Sequence, residues 1–178
     1  MNQLKINSHF CSIKTGNINY KESTIKSLLA LNAGENFCQI VPANKACSFN
    51  QAFFAFEQAT DALAKNTSFS YKLNLEFLIR FFGTKQINAA LDLAELKAGK
   101  NSILLVCAQK DKKKLNELLM NAKKELEFEE KKIVLGKNKK ELMDTYNISK
   151  NALESMKGQK NALEKLIIEK NALVVFQS

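Results

Sequence analysis

The spacing of apolar positions changes several times along this chain, and each change predicts an element. Leu4 to Lys14 alternates loosely and predicts a strand ending at Gly16. Ile25, Leu28, Leu29 and Asn32 keep helical spacing, which predicts a helix over Glu22–Ala33 with Gly34 as its stop. Phe37 to Val41 reads as a short apolar strand halted by Pro42. Ser48 then stands as the N-cap of a helix running to Ala64, with an inner stripe of Phe49, Ala52, Phe53, Phe56, Thr60 and Leu63. Phe54 leaves that stripe for the side of Gln51, Gln58 and Asp61. It is a candidate contact residue, because aromatic side chains are enriched at interfaces.

The middle of the chain predicts two more helices in quick succession. Leu73, Phe77, Leu78, Phe81 and Phe82 form the core face of a helix over Leu73–Phe82. Glu76 sits four residues before Arg80, a favourable helical ion pair, and Gly83 closes the element. Thr84 can cap a third helix at once, with Ile87, Ala90, Leu91 and Ala94 as its stripe. Ser102–Ala108 is the clearest strand. Beyond it, Leu115, Leu118, Leu119 and Ala122 mark a helix with lysines on its outer face, and Ile133–Leu135 predicts a short extended piece. Asn138 with Glu141 resembles a capping box opening a helix to Tyr146. Ser149 starts another short helix, Leu163, Leu166 and Ile167 mark the last one, and Ala172–Phe176 predicts a terminal strand. The tetrapeptide KNAL recurs at Lys150, Lys160 and Lys170. A ten-residue step turns a helix by about −80°, so the copies share no face and form no solenoid repeat. The sum is an α+β fold: a single domain over residues 1–178, with a four-stranded, mainly antiparallel sheet packed with about seven helices.

Composition narrows the class further. A chain of 178 residues, 46% apolar and 25% charged, supports one hydrophobic core and is short for two. No apolar run is long enough to span a membrane, and MNQLKINSHF lacks a signal-peptide pattern, so a cytoplasmic protein is expected. The net charge of +9 fits a nucleic-acid partner, an anionic membrane surface or a plain lysine bias, and Arg80 is the single arginine among 27 basic residues. Charge carried by a general lysine bias points to no particular ligand. Cys11, Cys38, Cys47 and Cys107 are too far apart for a paired metal motif. Cys11, Cys38 and Cys107 fall in apolar strand runs, where a thiol packs as a small hydrophobe. The lone histidine, His9, has no evident orienting group, and Gly99-Lys100-Asn101-Ser102 lacks the upstream glycine and following helix of a phosphate loop. No catalytic residue, metal or cofactor is expected.

The informative passage is LNLEFLIRFFGTKQINAALDLAELKAGKNSILLVC, from Leu73. Two helices meeting at Gly83-Thr84 leave the N–H groups at the start of the second free for an anion. Lys85 and Gln86 are expected in the first turn there, so a phosphate would meet a lysine charge and a side-chain amide together. Ile87 and Phe82 offer apolar surface for a base. The same corner also serves as an ordinary helix junction, with Ile87 in the core.

The passage resembles the central motif of the TPRKB-like family, the small regulatory subunit of the KEOPS tRNA-modification complex. The positions that carry the resemblance are Glu76-Phe77-Leu78, Gly83-Thr84, Lys85-Gln86-Ile87, Ala90, and Ala98-Gly99-Lys100 before Ile103. The ending, Leu166-Ile167-Ile168-Glu169-Lys170-Asn171-Ala172-Leu173, is similar too. The resemblance implies a subunit that does no chemistry itself. It docks on the kinase/ATPase subunit of KEOPS, has the threonylcarbamoyltransferase subunit as an indirect partner, and holds the 3′ CCA end of tRNA in archaeal members. Lys85, Gln86 and Ile87 match the basic-Gln-Ile triplet; the lysine replaces the usual arginine and loses its bidentate geometry toward phosphate. Arg80, Lys72 and Phe54 are added from this sequence as RNA contacts. Leu163, Leu166 and Ile167, with Leu28 and Leu29, are the candidate kinase-docking residues. The alternative is a protein-interaction regulator of a kinase-like partner that binds no RNA directly.

Overall fold

The computed structural model describes residues 3–176. Among them are five strands, β1 (Gln3–Ile6), β2 (His9–Tyr20), β3 (Phe37–Pro42), β4 (Gly99–Gln109) and β5 (Glu129–Glu130). The α-helices are α1 (Glu22–Leu31), α2 (Phe49–Ala64), α3 (Leu73–Phe82), α4 (Ile87–Ala94), α5 (Lys112–Glu125), α6 (Lys139–Thr145), α7 (Lys150–Ser155) and α8 (Ala162–Ala172). This is the expected α+β class, with one strand and one helix more than the sequence count. The chain forms two compact units: residues up to Ala43 with Glu95–Ile133, and Asn44–Ala94 with the residues from Val134 onward.

The first unit is a wholly antiparallel sheet in the order β1-β2-β4-β3, with β5 on β2. The strand predicted over Leu4–Lys14 is instead a hairpin of two, because Asn7 takes a positive φ of 53° and turns the chain. Gly16 does not end β2, which continues to Tyr20. A Cβ at Gly16 would run into the Glu129 carbonyl and the Phe128 ring, so the glycine admits β5 to the sheet. β4 pairs along β2 from Phe10↔Gln109 to Tyr20↔Gly99, which leaves β1 and β5 to share the other edge of β2. Its run Ile103–Ala108 is fully buried, as a central strand requires.

Helices α1 and α5 cover one face, packing Leu28, Leu31, Leu115, Leu118 and Ala122 on Ile18, Ile103, Leu105 and Cys107. The stripe predicted for α1 is rotated: Ile25 and Leu29 are 49% and 63% exposed, while Thr24 and Leu31 are buried. Asn32, expected on that stripe, ties the helix end to the sheet edge. Its Nδ2 donates to the carbonyls of Leu28 (2.8 Å) and Cys38 (2.7 Å), and its Oδ1 accepts from the Cys38 N–H (3.0 Å). Cys11, Cys38 and Cys107 are solvent-free in these strands, and burial raises the Cys11 thiol pKa well above its ordinary value.

β5 is only two residues long and depends on charge as well as pairing. Glu130 accepts from Lys123 (2.6 Å) and Lys14 (2.9 Å), and these hydrogen bonds, Lys123 first, hold its pKa below the ordinary carboxylate value of 4.5. A depressed folded-state pKa gives stability that is present above the unfolded value and lost as pH falls through the folded one. Glu130→Gln is therefore expected to lower the urea midpoint slightly at pH 7 and not at pH 2. The effect is small because the carboxylate is 44% exposed; an equal difference at both pH values would contradict the assignment.

The second unit is helical. Ser48 caps α2 through Gln51 N–H, Asn138 caps α6 through Glu141 N–H, and Ser149 caps α7 through Ala152 N–H, all as read from the sequence. Gln51, read as facing a polar side, is completely buried. Its Nε2 donates to the Phe81 carbonyl (3.1 Å) and the Tyr146 hydroxyl oxygen (2.6 Å), and its Oε1 accepts from Cys47 N–H (2.9 Å). Tyr146 in turn donates to the Lys45 carbonyl at 2.8 Å. Asn171 of α8 donates to the same Phe81 carbonyl at 2.8 Å. This network replaces apolar packing where α2, α3 and α8 converge, and it fixes their register.

Two expected extended pieces are not strands. Residues 131–134 carry no regular structure; Lys131 and Ile133 are held by N–H bonds to the Thr15 carbonyl and hydroxyl. Leu173–Phe176 is a 3-10 turn continuing α8, not a terminal strand. Among the described residues, no helix is long and apolar enough to cross a membrane.

Candidate nucleic-acid interface

The corner after α3 is built by Gly83, whose φ of 63° and ψ of 41° end the helix in the left-handed conformation. Thr84 N–H closes the turn on the Ile79 carbonyl (3.2 Å). Thr84 does not cap the next helix: its hydroxyl accepts from Gln86 N–H at 3.3 Å, and α4 begins only at Ile87. Lys85 and Gln86 thus precede the helix and do not form its first turn. Helix geometry leaves the first N–H groups of α4 without intrahelical partners there. At the other end, Lys45 donates to the Leu93 carbonyl at 2.7 Å.

The segment before α3 supplies what the sequence reading missed. Ser68-Phe69-Ser70-Tyr71-Lys72 interleaves aromatic and polar residues immediately before the helix. Glu76, with no solvent exposure, accepts the N–H groups of Phe69 (2.9 Å) and Ser70 (3.0 Å) on Oε2, and Arg80 Nε (2.7 Å) on Oε1. One carboxylate therefore pins the loop to the helix. The Phe69 ring carries two cations, the Arg80 guanidinium at 5.3 Å and the Lys85 ammonium at 5.7 Å from its centroid. Two residues on, Tyr71 is 100% exposed. The signal for this group was the aromatic spacing beside Lys72, a pattern that single-strand binders share.

The structure brings Lys85 and Arg80 together on Phe69, with Gln86 exposed and Ile87 half-buried beside them. Arg80 is only 3% exposed and committed to Glu76, so the helical ion pair read from the sequence is present and lies in the interior. Lys72 is exposed at the start of α3. Phe54 lies half-buried on α2, and among the described residues no ring contact or hydrogen bond joins it to this group. Of the docking candidates, Ile167 is fully buried, Leu163 and Leu166 are half-buried on α8, and Leu28 packs on the sheet core. Leu29 stands out with Ile25 one turn away, a small exposed apolar stripe on α1.

Exposed apolar residues on α1, and a basic group near a bare tyrosine before α3, are surface chemistry of the kind that binding partners use. The chain belongs to the CGI-121 family: the family model described as kinase binding protein CGI-121 matches residues 16–174. This bears out the TPRKB-like resemblance read from Glu76-Phe77-Leu78 and the residues around Gly83. No curated protein matches the chain.

Proposed function

We propose that this protein is a non-catalytic accessory subunit of a KEOPS complex, docking on the kinase/ATPase subunit and holding the single-stranded 3′ CCA end of tRNA at the Gly83 corner. Membership of a kinase-binding family supports the docking role. The observation that carries RNA binding is the juxtaposition of Lys85, held over Phe69, with the wholly exposed Tyr71 on the same Glu76-anchored loop. Lys85 and the α4 N-terminus meet the phosphates. The Tyr71 ring stacks a base without needing to move any packed group. The protein works in the cytoplasm, contributing to threonylcarbamoyladenosine formation by presenting tRNA to its partners.

Tyr71→Ala should weaken tRNA binding by about 5–150-fold, the equivalent of ~1–3 kcal/mol for one stacked base, and leave the melting temperature unchanged. Lys85→Glu should weaken it further and flatten its salt dependence. Anisotropy titrations at two salt concentrations read both effects. Unchanged affinity in the two variants would remove the corner from the RNA site. The second reading, a protein-interaction regulator without RNA binding, is favoured by the exposed Ile25–Leu29 stripe, which offers docking surface far from any need for nucleic acid.

A further inference from the structure

A cavity of about 480 Å3 opens among the short C-terminal helices and shares no residue with the Gly83 corner. Leu135, Leu153, Met156 and Leu163 line it, each half-buried, together with the fully buried Leu142. They come from α6, α7, α8 and adjoining segments, so no one helix's stripe accounts for this apolar lining. Gly136 fixes one wall. Its N–H donates to the Ala46 carbonyl (3.2 Å), and a Cβ on it would stand 2.8 Å from the Cys47 carbonyl oxygen. That approach is too close for a side chain, and it holds Leu135 at the cavity. Four apolar side chains left part-exposed in one concavity offer surface that an incoming apolar group removes from water. Lys139 and Lys157 are the cations of the lining; both are exposed, and neither ammonium is in an ion pair or hydrogen bond among the described residues. Glu164, the one carboxylate there, accepts from Asn50 Nδ2 at 3.2 Å. Lys137, Lys140 and Lys160, neighbours in the chain, are exposed and carry the same sign as the two lysines.

These features select among anionic partners. Among the described residues no aromatic ring lines the cavity, so a nucleobase finds nothing to stack on. The apolar groups are recessed, which suits an inserted side chain and not a lipid surface. The cations stand on separate elements, Lys139 at the start of α6 and Lys157 beyond the end of α7, which suits two carboxylates set apart. We propose that this cavity docks a segment of a partner protein in which a leucine or phenylalanine is flanked by aspartates or glutamates. The apolar side chain enters against Leu153, Met156 and Leu163, and the flexible thioether of Met156 adapts to its shape. The flanking carboxylates meet Lys139 and Lys157, which select the sign of the partner more than they add affinity. This docking site goes beyond the RNA-end reading and needs no part of it.

The test titrates synthetic peptides into the whole chain at low salt, followed by methyl NMR. Each carries a central phenylalanine flanked on both sides by glutamates, serines or lysines. The glutamate peptide should shift the methyl signals of Leu153, Met156 and Leu163 and leave those of Ile25 in place. Serine flanks should weaken binding about fivefold, the yield of two exposed ion pairs. Alanine in place of the central phenylalanine should weaken it about tenfold or more, because the apolar burial is lost. Lys139→Glu combined with Lys157→Glu changes two exposed positions and should leave the melting temperature unchanged. In that variant the lysine peptide should bind more tightly than the glutamate peptide. Equal affinities for those two peptides in the wild type, or no reversal in the double variant, would overturn the proposal. So would no response to any peptide; a response to phosphatidylserine vesicles alone would make the cavity a lipid site instead.

Discussion

Glu76→Leu is expected to destabilise the protein by about 3–5 kcal/mol, the usual cost of stranding one partner of a buried ion pair. The carboxylate has no exposure, and three donors depend on it: Arg80 Nε and the N–H groups of Phe69 and Ser70. Leucine fills the space and satisfies none of them. The loss has two parts that separate experimentally. The guanidinium loses its counter-charge inside α3, which a urea midpoint reports. The segment carrying Phe69, Tyr71 and Lys72 loses its anchor, which faster hydrogen exchange at Phe69 and Ser70 reports. Glu76→Gln keeps an acceptor oxygen of the right shape and should cost less. A change within about 0.5 kcal/mol for Glu76→Leu, the range of an ordinary surface substitution, would mean that the site is not built on this residue.

Gly16→Val should be nearly as severe, at roughly 3 kcal/mol, the upper end for overpacking a well-filled site. Valine suits a strand by propensity, so a model in which Gly16 merely ends β2 predicts no loss, or even a gain. The structure predicts the reverse. Any Cβ here meets the Glu129 carbonyl and the Phe128 ring, and backbone cannot yield as a flexible side chain can. β5 should detach, taking with it the Glu130 bridges to Lys14 and Lys123. Backbone amide signals of Lys131 and Ile133, both bonded to Thr15, are the sensitive reporters. Stability equal to or above wild type would contradict the packing described for Gly16.

What could be read from the chain, and what could not, follows from where each signal resides. Local chemistry was legible: Ser48, Asn138 and Ser149 cap the helices assigned to them, and Gly83 ends α3 in the conformation a glycine favours. Choices settled by tertiary packing were not. Leu28 belongs both to the set Ile25, Leu28, Asn32 and to the set Thr24, Leu28, Leu31, and periodicity alone does not say which set turns inward. Gly16 has the same letter whether it stops a strand or admits a neighbour. Glu76 and Arg80 have the same spacing whether their bridge is exposed or interior, and only burial turns that pair from a minor surface term into the anchor of the loop. Within the candidate site, Lys85, Gln86 and Ile87 were legible from the helix corner itself, and the family resemblance singled out the same triplet. Phe69 and Tyr71 emerged only when the fold set them against Arg80 and Lys85, although their aromatic spacing beside Lys72 was already visible.

The most direct test of the proposed RNA site is whether the Gly83 corner recognises the single-stranded end of tRNA. Intact tRNA and the same tRNA trimmed of its 3′ CCA should be titrated against the protein at a single stated salt concentration. Trimming is expected to weaken binding by at least about fivefold, since loss of even one stacked base removes ~1–3 kcal/mol. Equal affinity for the two RNAs, or no binding of either, would contradict it and leave the protein as a kinase-docking regulator alone.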